Sequence, residues 1–213
     1  MTVIVGTIRD RGTSNVKLVT DQTKSTDRNA ELMLQFKAGN HGAFEELVRR
    51  NLGNVHSLIF RFMRNESHVD DLTQETFLRI YRHAESYQPT AKFSTWLYRI
   101  VANLCFNAIR AKKYQRTYSL DNSNDNDVSV DLQDKAQRTP SEKLNDDELN
   151  RIIKNAIDDL PENQRLAIIL KQYEQLNYDE IANVMEISQS AVKSLLSRAR
   201  MTLRTKLSRY LTA

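Results

Sequence analysis

The segment "FSTWLYRIVANLCFNAIRAKK", Phe93–Lys113, decides how the chain is read. At 3.6 residues per turn, Leu97, Ile100, Val101, Leu104 and Ala108 line up as one apolar stripe, so the segment is an amphipathic helix turned towards a core. The opposite side carries Trp96, Arg99, Asn103, Phe106, Asn107 and Arg110, and the helix runs out in Lys112 and Lys113. The only tryptophan of the chain therefore stands among arginines and asparagines.

Outward from this helix, the composition fixes the class. The 213 residues include only 5 Gly and 3 Pro, too few for the turn chemistry of a sandwich or barrel, and long stretches keep a helical period. An all-α fold is expected. The net charge of +4 is a mild bias towards polyanions. Cys105 is the single cysteine, which excludes an internal disulfide and fits a reducing compartment. Its place at the edge of the apolar stripe predicts a buried, inert thiol. No apolar run approaches the roughly 20 residues of a membrane span, and "MTVIVGTIRD" lacks a basic region before its short apolar patch. A cytoplasmic protein without membrane insertion is expected.

Four segments follow from the pattern. Residues 1–27 lack a sustained period and read as a mobile tail. Residues 28–116 are helical almost throughout, with breaks at "GNHG" (Gly39–Gly42), "RNES" (Arg64–Ser67) and "SYQPTAKFS" (Ser86–Ser94). Residues 117–140 read as an acidic linker; from Thr117 to Asp147 there are eight acidic residues against three basic ones. Periodicity resumes at Ser141 and runs through residues 141–213, with Pro161 suited to the first position of a helix. Two small helical modules on an acidic tether result.

In the C-terminal module, "YDEIANVMEISQSAVKSLLSRARMTLRTKL" from Tyr178 holds two short apolar faces. Ile181, Ala182 and Met185 make the first; Val192, Leu195, Leu196, Ala199 and Leu203 make the second. Small Ala182 suits a steep helix crossing, and Ser188 can cap the second helix. This is the pattern of a helix-turn-helix, whose second helix enters the major groove. That helix presents Gln189, Ser190, Lys193, Ser194, Ser197, Arg198, Arg200 and Arg204, side chains able to reach phosphates and base edges. Glu186 stands in the turn where glycine is often preferred, so the turn must be made at some strain.

Before the "SYQPTAKFS" loop, "HVDDLTQETFLRIYRHAES" puts Val69, Leu72, Thr73, Thr76, Ile80 and Ala84 inside and Asp71, Gln74, Glu75, Leu78 and Arg82 outside. A leucine ringed by polar groups has the make-up of a docking patch. Taken together, "DDLTQETFLRIY", "SYQPTAKFSTWLYRIVANLCFNAIR" and "LPENQRLAIILKQYEQLNYDEIANVMEISQSAVKSLLSRAR" resemble bacterial sigma factors of the extracytoplasmic-function (ECF) subfamily of the sigma-70 family. The likeness spans about residues 28–113 and 141–208; the tail and the linker lie outside it.

The resemblance implies a region 2 type bundle and a region 4 type helix-turn-helix. It implies that Asp71, Gln74, Glu75 and Leu78 dock on core RNA polymerase, and that the loop with Tyr87, Lys92 and Phe93 handles the −10 promoter element together with the helix after it. The C-terminal module would read the −35 element as duplex, and the acidic linker would thread through polymerase channels built for nucleic acid. A dedicated anti-sigma factor is typical of the subfamily and is expected as a further partner.

On this reading the tryptophan has a task. Aromatic rings stack on unpaired bases for about 1–3 kcal/mol each. Asn103 and Asn107 suit base edges, and Arg99, Arg110, Lys112 and Lys113 suit phosphates. Trp96 would wedge at the fork, with Tyr87 and Phe93 around an extruded base. Opening about a dozen base pairs costs on the order of 15 kcal/mol, and two or three captured bases return only about 3–6 kcal/mol. The deficit demands a larger machine. The other readings are an operator-binding helix-turn-helix regulator, which would share the C-terminal half, and an enzyme. His41, His56, His68 and His83 show no ligand spacing, and no phosphate loop or nucleophile motif occurs, so neither catalysis nor a metal or other cofactor is expected.

Overall fold

The computed structural model describes residues 27–63, 66–118 and 140–211, and among them eight α-helices and no strand. The tail up to residue 26 and the linker from 119 to 139 lie outside the described residues. Of the segment assigned to the linker, Thr117 and Tyr118 belong to the end of one helix and Pro140 to the start of the next.

Helix α1, Arg28–Lys37, is started by Asp27, whose Oδ1 accepts from the amides of Asn29 and Ala30 at 3.1 and 3.2 Å. It ends at Gly39, whose φ of +98° is open to glycine at no steric cost and reverses the chain into α2, His41–Met63. Along α2, Leu47, Val55, Leu58, Ile59 and Phe62 are buried with Asn51, which donates to the Leu47 carbonyl at 2.7 Å and accepts from Asn29 at 3.3 Å. A short 3-10 turn, Glu66–His68, leads to α3, Val69–Arg82.

The helix of the quoted segment is α4, Phe93–Tyr118. Its stripe is seated as the period dictates: Leu97, Val101 and Leu104 are buried, with Ile100 and Ala108 half-buried. Cys105 is fully buried, and loss of hydration raises its thiol from 9.0 to about 12. Phe106 turns inward, edge-on to Phe62 at 5.3 Å, and so leaves the polar side to which the period assigned it.

The C-terminal module holds α5, Pro140–Asp158; α6, Glu162–Gln172; α7, Tyr178–Met185; and α8, Gln189–Leu211. Pro161 sits one place earlier than expected, at the N-cap. With ψ 143° it is still extended, and its carbonyl accepts the first helical bond, from Arg165 at 2.9 Å. Asn177 and Glu180 form a reciprocal capping box on α7. Leu166, Ile169 and Leu170 of α6 pack with Val192, Leu196 and Ala199 of α8. The two modules also pack on each other, α4 against α7 and α2 against α6, forming one continuous core. Periodicity along single helices gave no sign of that contact.

Candidate docking and nucleic-acid faces

On α3, the side facing away from the core holds exposed Asp71, Gln74 and Leu78, with Leu78 42% accessible. Glu75 is half-buried because Arg79 donates to it at 2.9 Å and Arg82 stands 3.9 Å away. Leu78 borders an apolar cleft of about 760 Å³ between α2 and α3. Phe44, Val48, Leu52, Phe77 and Tyr81 line it, and Asp70 and Gln74 stand at its rim. The period of α3 accounts for only one wall of the cleft. The α2 wall had a signal: Phe44, Val48 and Leu52 repeat every four residues beside the core stripe, so α2 carries more apolar surface than one neighbour can bury.

The loop and the first turn of α4 are tied to α1 by Asp27, whose Oδ2 accepts from the Phe93 amide at 2.7 Å, and by Lys37, which donates to the Tyr87 carbonyl at 3.1 Å. Of the residues read as handling the −10 element, Lys92, Asn103, Asn107 and Arg110 are exposed, and Trp96, Arg99 and Lys112 are half-buried. Tyr87 and Phe93 are buried, at 3% and 0% exposure. Trp96 stands edge-on to Tyr87 at 5.0 Å and tilted to Phe93 at 5.6 Å, as the outermost of three packed rings. In this arrangement neither inner ring offers a face to a base, because both fill the space beneath the loop. The Tyr87 hydroxyl is buried without a hydrogen-bond partner among the described residues, and burial, with the Asp27 charge, raises it to about 12.

Helix α8 separates its faces cleanly. Gln189, Ser190, Lys193, Ser194, Ser197, Arg198, Arg200 and Arg204 are all exposed, opposite buried Val192, Leu196 and Ala199. Ser188 Oγ accepts from the Ala191 amide at 3.2 Å, the cap the sequence called for. Glu186 makes the turn in the left-handed region at φ 55°, ψ 41°. Gln189 is oriented by Asp179, to which its side-chain amide donates at 2.9 Å.

Three side chains of the α4 region are engaged by the C-terminal module. Lys92 Nζ meets Glu180 Oε1 at 2.8 Å. Arg99 donates to the Asn183 carbonyl at 3.0 Å and lies 3.7 Å from Glu186. The Tyr98 hydroxyl donates to Glu174 at 2.6 Å, and burial followed by that bond pushes its pKa up. Partial burial alone would raise the Glu180 carboxyl, but the bonds from Lys92 and the Asn177 amide, with the charges of Lys92 and Lys171, outweigh it and hold the group below its ordinary range.

The Sigma-70 region 2 family matches residues 47–114, and the Sigma-70, region 4 family matches residues 150–203. The chain is similar to the ECF RNA polymerase sigma-E factor of Haemophilus influenzae, 33% identical over 180 residues, covering 83% of this chain and 93% of that one. It is 32% identical over 174 residues to the ECF RNA polymerase sigma factor SigW of Bacillus subtilis, covering 81% and 93%. To SigE of Mycolicibacterium smegmatis it is 33% identical over 168 residues, 79% of this chain, and spans 63% of that longer relative. Among solved structures, CnrH in complex with the cytosolic domain of CnrY is similar with TM-score 0.62 at 25% identity, over 86% of this chain and 99% of that one. The sigma factor RpoE of Bartonella quintana, in complex with the anti-sigma factor NepR, shares the fold with TM-score 0.62 at 21% identity, over 78% and 96%. An operator-binding regulator offers no place for a region 2 match in the N-terminal half. The chain belongs to the extracytoplasmic-function subfamily of the sigma-70 family of RNA polymerase sigma factors.

Proposed function

We propose that the chain directs core RNA polymerase to its promoters by three faces in chain order. Asp71, Gln74, Glu75 and Leu78, with the α2 wall of the cleft, dock on the polymerase. Tyr87, Lys92, Phe93, Trp96, Arg99, Asn103, Asn107, Arg110 and Lys112 take the −10 strand, and Gln189, Ser190, Lys193, Ser194, Ser197 and Arg198 read the −35 duplex. The observation that carries this reading is the division of α4, where Asn103 and Asn107 stand exposed on consecutive turns with Arg110 beside them, behind a buried stripe. Donors in that order suit base edges flanked by a phosphate.

Trp96 caps the aromatic stack, so lifting the loop would uncover Tyr87 and Phe93 for a flipped base. An unpartnered buried hydroxyl costs about 1–3 kcal/mol, so movement of Tyr87 gives back part of what it costs. The polymerase performs RNA synthesis, and this chain works beside it in the cytoplasm as a non-catalytic subunit. Among the described residues no helix is long and apolar enough to cross a membrane. An anti-sigma factor is the expected inhibitor; similar sigma structures are described in complexes with CnrY and NepR.

The test is transcription by core polymerase plus the purified chain, with the 5′ ends of the transcripts sequenced. Defined starts that require the chain support the reading. Trp96→Ala, Asn103→Ala and Asn107→Ala together should keep polymerase binding and lower open-complex formation at least about tenfold, the loss of about 1.4 kcal/mol or more of base contacts. Undiminished opening would remove this face from the mechanism.

A further inference from the structure

The cleft between α2 and α3 gathers apolar surface that a single exposed side chain would not. Leu52, Leu78 and Tyr81 are 47%, 42% and 49% accessible, and they line it together with Phe44, Val48 and Phe77. A contiguous apolar patch inside a polar rim marks a surface that another segment covers. Its rim holds Ser57, Gln74 and the pair of His56 and Asp70, 3.4 Å apart. The Asp70 side chain is 93% accessible, so its charge stands in solvent beside the opening.

One apolar motif of the sequence has no part in the three proposed faces. In "MTVIVGTIRD", Val3, Ile4 and Val5 follow one another, with Arg9 and Arg11 a few residues on. Such β-branched side chains favour extended backbone, in which Val3 and Val5 point one way and Ile4 the other. A groove with two apolar walls takes all three. The amides and carbonyls of the segment would need partners, and Ser57, His56, Asp70 and Gln74 supply donors and acceptors along the rim. Arg9 and Arg11 match the charge of Asp70 and Asp71.

The tether has the right length. Asp27 starts α1, and Arg28 of that helix meets Glu46 of α2 at 3.3 Å. Glu46 lies two residues from both Phe44 and Val48 along α2, on another side of the helix. A path around one helix, itself about 10–12 Å across, is on the order of 20 Å. The roughly 20 residues between Val5 and Asp27 span about 25 Å on average. A tether whose mean length matches its path gives an effective concentration in the mM range, so weak contacts suffice to fill the cleft.

We infer that the Val3–Val5 segment seats in the cleft between α2 and α3 and competes there with the polymerase. The inference rests on the docking role proposed for this cleft, and its test keeps the two apart. The full chain carries a nitroxide at Thr2→Cys; Cys105 is buried and does not label. The amide signals of Leu52 and Gly53 and the side-chain amide of Gln74 should lose most of their intensity, while amides of α8 keep theirs. Val3→Ser, Ile4→Ser and Val5→Ser together should abolish this loss. Val16→Ser, Leu18→Ser and Val19→Ser together should leave it in place. Without the nitroxide, serine at the first three positions should tighten binding to core polymerase about fivefold, and serine at the second three should not.

Loss of signal spread evenly over the surface, or loss that survives serine at Val3, Ile4 and Val5, would overturn the seat. Loss of the same signals when isotope-labelled chains are mixed with separate nitroxide-bearing chains would overturn it as well, because the occupant would then belong to a second copy. Leu78→Arg, added to the first serine variant, tests docking by itself. If it leaves polymerase binding unchanged, the docking reading fails and the signal loss alone decides the seat. If it weakens polymerase binding while the first serine variant gains nothing over the parent, the competition is overturned.

Discussion

Cys105 shows how one buried group ties the fold to pH. Desolvation lifts its thiol from 9.0 to about 12. A raised pKa means that the folded state holds the proton more tightly, so the stabilisation is complete below 9.0 and lost as pH climbs towards 12. Tyr87 acts in the same direction from 10.0 to about 12, through burial first and the Asp27 charge second. The urea midpoint should therefore stay level from neutral pH to 9 and fall between 9 and 12, and Cys105→Ala should delay the onset of the fall. At pH 8, a thiol reagent should react only as fast as the chain opens. Trp96 makes a different point at this scale. Period alone set it among polar residues, but its position on the Tyr87–Phe93 stack depends on a loop whose path no period describes.

Between residues and whole domains, single helices depend on a few shared anchors. Asp27 caps α1 with one carboxylate oxygen and holds the first amide of α4 with the other. Losing one such cap costs about 0.5–2 kcal/mol. Asp27→Ala should remove about 2 kcal/mol or more in denaturant unfolding, because two helix starts lose their acceptor. The face of α3 proposed for docking should respond in the opposite way. Leu78 is 42% exposed beside the cleft, so Leu78→Arg should leave the melting temperature nearly unchanged. The same change should weaken binding to core polymerase about thirtyfold, the effect of a hot spot of about 2 kcal/mol. A variant that melts early, or that binds polymerase as the parent does, would show that Leu78 belongs to the core or that docking occurs elsewhere.

At the scale of the whole molecule, the two faces proposed for DNA differ in access. Among the described residues the α8 face is uncovered, and the α4 face is partly covered by the module that carries α8. A duplex taken from upstream of the mapped starts is the probe for the α8 face. Lys193→Ala should lower duplex affinity and reduce the salt slope by about one. Unchanged affinity and an unchanged salt slope would mean that Lys193 does not touch the duplex.

The sequence by itself determined the helices, their buried stripes, the cap at Ser188, the helix-turn-helix, the exposed face of α8 and the exposure of Asp71, Gln74 and Leu78 on α3 and of Asn103, Asn107 and Arg110 on α4. Each of these is settled by residues within a few turns of one another, where the 3.6-residue period and capping chemistry act directly. The α2 wall of the cleft, the double cap at Asp27, the inward turn of Phe106, the burial of Tyr87 and Phe93 and the seam of Lys92 and Arg99 against α7 were decided only by the tertiary structure. All of these join residues from separate elements, and a stripe shows that a surface will be covered without naming what covers it. Glu186 is the case that spans both: the sequence shows a glutamate in a turn suited to glycine, and only the packing of α7 on α4 supplies the arginine it reaches.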